Sequence, residues 1–485
     1  MLEIESHNYL KLFLKKYPLD WKHIYAFGRI SSRCLRTKDN CLINSEIFKT
    51  DKWISALLIS LFLHEENSTI IFPKDKINLL KKNQLKELKK IGFKFSVIDN
   101  EIIFKSHKIT LITLSQLISE NYNYLNLFNQ SIIFTGTENI KDDLKDFSRI
   151  TLFKKDWLSS SHIFFKYENE IIRIYESLKE KFFLKAIPSK KYIYLGSNEI
   201  KYFNQLFSKY SFYSHKFLKI IESLKANWAC WVILDHDKFE WILNLQPINE
   251  FIEVKNLLKN NHFIMLSSLR KDEFFQKYLK SNNLKVDLVI NFKSDFIERD
   301  IFIYVPFRQI LPNNPLFTNS IIDKCNKLVI FGKGLTVILS DEKTLKIQLA
   351  TKLASYHGKK VLLENRPDSQ INKVILCASF DWWIDNLHLF KVPEQVIIPL
   401  IPIPNIGEPI NEMTISFNTK NSKDWFRDFM LPAAFEKLDK SVSPLRRNSG
   451  KLIILDGRVN NRKWGRDLIE KIQPSQISSY LFPFE

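Results

Sequence analysis

The chain has 485 residues, roughly three domains' worth at about 150 residues each, and 45% of them are hydrophobic. A single small module is excluded, and so is wholesale disorder, because 13% of the residues are aromatic and 39 are Phe. Lys and Arg outnumber Asp and Glu 72 to 53, a net charge of +19, which points to a polyanion such as nucleic acid or an anionic membrane surface; a Lys-, Asn- and Ile-rich coding bias gives the same excess.

Residues 6–20 have helical spacing, with Leu10, Leu12, Phe13 and Leu14 among lysines. The stretch carries acids before its apolar positions and lacks the hydrophobic region of a cleavable leader. Cys41–Asn44 is a short apolar run that predicts a strand. Trp53–His64 predicts a helix, too short and serine-interrupted to span a bilayer. Thr69–Phe72 predicts a strand stopped by Pro73, Lys76–Lys90 a charged amphipathic helix, and Phe93–Ile98, Lys108–Leu114 and Ser131–Phe134 three more strands. Strands alternating with helices predict a wound α/β domain over 1–150. Residues 151–227 are aromatic and basic, with long helical stretches at Tyr167–Phe183 and Tyr202–Lys225, and predict a mainly helical insertion. Strand patterns return at Trp231–Leu234, Phe239–Leu245 and Phe263–Leu266, so 228–270 is assigned to the first lobe again. Residues 271–485 predict a second α/β block. Its strands are Ile301–Pro306, Leu335–Leu339, Lys359–Leu363, Lys373–Cys377, Gln395–Leu400 and Leu452–Leu455, with helices at Thr344–Tyr356 and Lys463–Ile472.

Glycine is scarce. There are 11, where an average of roughly 7% would give about 34. A Walker phosphate loop needs G-x-x-x-x-G-K-[ST], because backbone N–H groups must come close to the phosphates. No two glycines here have that spacing before a lysine, and G-x-G-x-x-G is absent as well. Cys34, Cys41, Cys230, Cys325 and Cys377 form no C-x-x-C, which argues against zinc. An odd, scattered set predicts reduced thiols and a cytoplasmic protein.

The C-terminal third carries a resemblance. Pro444-Leu445-Arg446-Arg447-Asn448-Ser449-Gly450 leads into Lys451–Val459 and then Trp464-Gly465. This resembles the end of DinG/XPD-type helicases of superfamily two: an arginine segment, a glycine, a strand closing on L-D-x-R, and an aromatic-Gly pair opening a helix. Other segments follow in the family's order. Gly334–Ser340 resembles the first strand of the second lobe, and Ala378–Asp385 resembles S-F-W-E-G-V-D. Ile401–Ile403 through Glu408-Pro409 resembles L-P-F…P, and Met265–Leu269 resembles the run into T-S-A-T-L.

The resemblance implies an α/β fold of two RecA-like lobes, the P-loop NTPase-type helicase fold, with a helical insertion in the first lobe. It implies ATP and Mg²⁺ as cofactors and single-stranded or forked DNA as partner, RNA being a further option. Transferred position by position, the nucleotide-facing residues are Lys49 and Thr50, a Lys-Thr pair without glycine in the loop Ser45–Lys52. Glu138 stands near the place of D-E-A-H, in Thr135-Gly136-Thr137-Glu138. Asp385, and Arg446 or Arg447, complete the set. Both acidic positions that hold Mg²⁺ and orient water are replaced, and the adenine-reading glutamine is not evident in Trp21–Phe27. The four cysteines of the family's iron–sulfur cluster have no counterparts, so none is expected.

Single strands are held by basic grooves with aromatic platforms. The candidates are Phe307, Arg308, Trp382, Trp383, Arg458 and Arg462, and residues 440–471 hold nine Lys or Arg against three acids. A solvated basic face is the plain alternative for the charges, and core packing for Trp382 or Trp383. The expectation is a DinG/XPD-like DNA helicase with ATP hydrolysis weak or lost. The alternative is a non-catalytic nucleic-acid-binding scaffold of the same shape. A peripheral membrane role is disfavoured, since no basic helix has a clean apolar face.

Overall fold

The computed structural model describes the chain except residues 1, 119–126, 128, 158–167, 186–191, 211–214, 226–227, 250, 252–253, 270–274, 277–278, 281, 294–298, 367–372 and 480–485. The chain divides into two compact units, residues 1–294 with 406–417, and residues 295–405 with 418–485.

The strands of the first unit are β1 Cys41–Asn44, β2 Ser68–Ile71, β3 Ser96–Ile98, β4 Glu101–Phe104, β5 His107–Ile112, β6 Ser131–Thr135, β7 Ile150–Leu152, β8 Tyr192–Tyr194, β9 Trp228–Asp235, β10 Glu240–Pro247, β11 His262–Ser267 and β12 Leu288–Asn291. Eight of them form one sheet in the order β12-β1-β11-β6-β2-β5-β4-β3. The six from β12 to β5 are parallel, and β5-β4-β3 is an antiparallel edge. Every residue of β1, β2 and β11 is buried, as a parallel sheet covered on both faces requires. Alternate residues serve opposite faces. Cys41 and Ile43 join the core under the helices Leu2–Lys16, Ile24–Thr37 and Ile54–His64, whereas Leu42 joins the core under Ile140–Ser148 and Lys255–Asn260.

The helix Ile54–His64 is apolar all round and buried over nearly its whole length, which explains its lack of an amphipathic stripe. Its Ser60 is satisfied locally, donating to the Ala56 and Gly28 carbonyls. Each fully buried Leu, Ile or Phe here contributes roughly 1.5–3 kcal/mol.

The region 151–247 departs from expectation in part. The helices Glu168–Lys185, Ser197–Tyr210 and His215–Lys225 are present. The strands read as a return to the first lobe, β9 and β10, instead pair with β7 and β8 in a separate antiparallel sheet, β7-β10-β9-β8. The reason is a core of their own. Trp241, Leu243 and Leu245 alternate inward from β10 onto Trp157, Tyr175, Phe182, Phe203 and Phe207, and the Trp241 Nε1–H donates to the Tyr175 carbonyl at 3.2 Å. Segment 406–417 belongs to the same unit: the Tyr194 hydroxyl donates to the Glu412 carboxylate at 2.6 Å. The first unit's main sheet also extends past residue 270, because β12 pairs residue for residue with β1.

The second unit holds β13 Ile301–Tyr304, β14 Thr336–Leu339, β15 Val361–Leu363, β16 Ile375–Ala378, β17 Gln395–Ile398, β18 Lys451–Ile454 and β19 Ser475–Ser478. All pairs are parallel, in the order β15-β16-β14-β17-β18-β13-β19. The helices Phe317–Phe331 and Lys343–His357 cover one face, and Phe380–Asn386, Leu431–Val442 and Lys463–Glu470 cover the other. Both units are wound α/β sheets, as the alternation in the sequence predicts.

The cysteines differ from expectation. Cys34, near the end of the helix Ile24–Thr37, and Cys41, opening β1, are joined in a disulfide. A tight turn through Lys38, in the left-handed region at φ 54°, folds the strand back beside the helix and brings them together. Cys230, Cys325 and Cys377 are free and buried. Among the described residues, no helix is long and apolar enough to cross a membrane.

Candidate functional site

The carboxyl end of β1 is where a phosphate loop would begin. The Ser45 N–H donates to the Ser267 carbonyl at 2.9 Å, which ties the loop to β11. A 3-10 turn, Glu46–Lys49, follows and closes on Thr50. The Thr50 hydroxyl donates to the Ile47 carbonyl at 2.8 Å, and its own carbonyl accepts the Trp53 indole N–H at 2.7 Å. Thr50 therefore serves its own turn. The Lys49 side chain lies outside the described residues.

The interior of the turn is filled. Phe48 is 5% exposed and Trp53 is fully buried. They pack with Trp21, Phe27, Phe72 and Phe292, at centroid separations of 5.5 Å for Phe27–Phe48 and 6.1 Å for Trp53–Phe72. Lys76, from the helix Lys74–Lys82, donates to the Phe48 carbonyl at 3.2 Å and lies 3.7 Å from the Asp51 carboxylate. Lys76 thus grips the loop from a later helix. A phosphate loop presents an open arch of N–H groups; here the turn instead sends Phe48 and Trp53 into the core.

Glu138 sits in a short turn after β6, entered through Gly136 at φ 69°, a left-handed conformation that suits glycine. Its carboxylate accepts the Ser268 N–H at 3.0 Å and the Ser268 hydroxyl at 2.6 Å, joining the carboxyl ends of β6 and β11. This is one acid where metal and water chemistry in the family pattern uses two. Among the described residues, no group of three or more His, Cys, Asp or Glu could hold a metal ion. Glu138 also borders a cavity of about 620 Å³ at the ends of β2, β5 and β6, with Phe48, Phe72, Lys76, Thr113 and Phe134 among its walls.

In the second unit the carboxyl ends of β14 and β16 are satisfied by the chain's own carboxylates. Asp341 accepts the Phe380 N–H at 3.0 Å, and Glu364 accepts the Ser379 N–H at 2.9 Å and hydroxyl at 2.7 Å. Lys437 stands between Asp341 at 3.1 Å and Asp381 at 2.8 Å. Burial pulls the Lys437 ammonium down, but the two carboxylates outweigh it and hold its pKa above the ordinary value. Asp385, one turn on, is raised by burial and by the charge of Asp381. The three partners from outside the segment, Asp341, Glu364 and Lys437, are not singled out by the sequence, because residues far apart in the chain supply them.

The transferred arginines separate. Arg446 is buried, its side chain 8% exposed, and it donates to Asp439 at 2.9 Å and to the Gln473 carbonyl at 3.3 Å, a structural role rather than a free phosphate contact. Arg447 is exposed. Arg458 is held by Asp456, which is fully buried, with Nε to Oδ1 at 3.0 Å and a terminal nitrogen to Oδ2 at 2.7 Å. Trp383 is a core residue, fully buried with its indole N–H on the Ser441 carbonyl at 3.0 Å, and Trp382 packs against that core beside Phe390. Neither tryptophan is an open stacking platform. Phe307, Arg308 and Arg462 remain on the surface, Phe307 at 78% exposure.

No family model matches the chain, and no curated protein matches it. Solved structures do. Xpd4 from S. tokodaii superposes with a TM-score of 0.58 at 13% identity, over 94% of this chain and all of that one. An XPD helicase structure gives 0.54 at 11% over 95% of this chain and all of that one, and an apo XPD gives 0.53 at 13% over 93% and 99%. At such identities the likeness is one of fold: the chain has the two RecA-like α/β lobes of the XPD helicases.

Proposed function

We propose that this chain is a nucleic-acid-binding protein of helicase fold that works without ATP turnover. The packing of Phe48 and Trp53 into the place of the phosphate loop carries this reading. The Thr50 hydroxyl spent on its own turn, the single carboxylate Glu138 committed to Ser268, and Arg446 committed to Asp439 support it. ATP and Mg²⁺ are therefore not assigned to this chain as cofactors, and no step is routed through them. The partner is a single strand of DNA, with RNA as the second substrate to compare. The helicase fold, the net charge of +19 and the basic excess in 440–471 support a polyanion partner.

The test is a binding titration of a labelled single-stranded oligonucleotide, with and without ATP and Mg²⁺. The expected result is binding that weakens steeply with salt and is indifferent to the nucleotide. Oligonucleotide-stimulated ATP hydrolysis, lost in Lys49→Ala, would establish the other reading, an active helicase of this fold.

A further inference from the structure

We propose that the second unit takes single-stranded nucleic acid on the loops after β13 and β18, with Phe307 as the base platform and Arg308, Arg462, Lys463 and Arg466 as the groups that meet phosphate. This deepens the nucleic-acid reading above and rests on it.

The site is built on two adjacent parallel strands, Tyr304 of β13 standing beside Ile453 of β18. The loop after β13 is fixed on both sides. Asn460 Nδ2 donates to the Pro306 carbonyl at 2.8 Å, and Lys324 Nζ donates to the Gln309 side chain at 2.9 Å. Gly457 lets the two loops approach closely, since a Cβ there would lie 2.9 Å from the Gln309 carbonyl oxygen and 3.0 Å from that of Ile310. The loop is held in place, but its apolar ring does not join the core of the unit. Instead Phe307 is 78% exposed, the most exposed aromatic ring among the described residues.

The charges beside it are also unspent. Arg308, Arg462, Lys463 and Arg466 are exposed, and among the described residues their cationic groups have no hydrogen-bonded or ion-paired partner. Arg462 follows Asn460 by two residues, which places it at the same loop junction, and Lys463 and Arg466 continue along the next helix. Unpaired cations around a rigidly presented ring match an unstacked base with flanking phosphates. A duplex keeps its bases stacked and offers the ring nothing. By contrast, Asp341, Glu364 and Asp381 occupy the ends of β14 and β16, where like charge repels phosphate.

The experiment uses the full chain and a fluorescein-labelled oligothymidylate, followed by anisotropy across a salt series. Phe307→Ala is expected to weaken binding by roughly 5- to 150-fold, the range of one base–aromatic stack. The pair R308E/R462E is expected to weaken it at least tenfold and to flatten the salt dependence by roughly 1.4 in log–log slope, because two phosphates are no longer neutralised. The same charge change on the first unit, K11E/K15E, is expected to leave both quantities near the parent values. In a second measurement, photocrosslinking with an iodouridine oligonucleotide should label the 306–310 peptide. If the parent binds the oligonucleotide while both surface variants match it, or crosslinks fall only elsewhere, the proposed location is wrong and the nucleic-acid reading stands. If the parent binds no single strand at low salt, or binds only anionic phosphatidylserine vesicles, the nucleic-acid reading fails and takes this site with it.

Discussion

Phe48 and Trp53 meet edge to face, ring centroids 5.2 Å apart with their planes at 82°, in the stretch where a phosphate loop would arch. Both rings belong to the core beneath the helices Leu2–Lys16 and Ile24–Thr37. Trp53→Ala is expected to cost about 3–5 kcal/mol of stability, the usual loss for a large aromatic taken from a core. Denaturant unfolding followed by tryptophan fluorescence and circular dichroism measures it. A cost below about 1 kcal/mol would mean the rings are not packed as described.

Arg458 and Asp456 make a second testable pair. Asp456 is fully buried and also accepts the Ile401 N–H at 3.0 Å. Removing the guanidinium would leave a buried carboxylate short of its main partner, at a cost of about 2–3 kcal/mol after allowing for the part of Arg458 that faces water. Arg458→Ala is therefore expected to lower the unfolding midpoint clearly. Oligonucleotide affinity, measured on the folded variant, should change much less than for R308E/R462E. The opposite pattern, stability unchanged and affinity abolished, would make Arg458 a nucleic-acid contact.

Acid should destabilise the first unit through its histidines. His262 is buried, with Nε2 2.7 Å from the Asp39 carbonyl and Nδ1 3.0 Å from the Ser131 hydroxyl, so Nε2 carries the proton and Nδ1 accepts. Burial pushes its pKa down to about 4, and burial lowers His64 and His107 as well. An unfolded histidine takes its proton near pH 6.5. As the pH falls from there toward 4 the unfolded chain binds protons that the folded one refuses, so stability is full above about 6.5 and is lost across that window. His262 alone accounts for about 2 kcal/mol between pH 7 and 5. Unfolding midpoints at the two pH values measure this, and His262→Gln should flatten the difference.

Gly457→Ala tests the junction of the β13 and β18 loops. The added methyl would meet two backbone carbonyls at 2.9 and 3.0 Å, and backbone yields less easily than side chains. A loss of about 1–3 kcal/mol is expected, together with weaker oligonucleotide binding as the Phe307 loop moves. A neutral substitution would show that the junction is looser than drawn.

The wound sheets were legible because parallel strands buried on both faces read as short apolar runs. Cys41–Asn44, Ser131–Phe134 and Gln395–Leu400 announce themselves in that way. The lack of a glycine-rich phosphate motif is a property of the sequence itself, with no two glycines at the required spacing before a lysine. What packs at the turn was not legible. Phe292 joins Trp21, Phe27 and the Phe48–Trp53 pair only through the tertiary fold, and no local pattern joins position 27 to position 292. Arg446 and Arg447 are equivalent as letters; Asp439, one helix earlier, decides that Arg446 is buried. The strands β9 and β10 carried a correct strand signal with the wrong partners, because alternation fixes a strand's faces and leaves open which sheet receives it.

On the proposed reading the first unit seats no triphosphate. Isothermal titration of the full chain with ATP and Mg²⁺, alone and with saturating oligothymidylate, tests it most directly. No saturable heat is expected in either titration, and no rise in thermal midpoint with added nucleotide. Stoichiometric binding of one ATP per chain, abolished by Lys49→Ala, would contradict it.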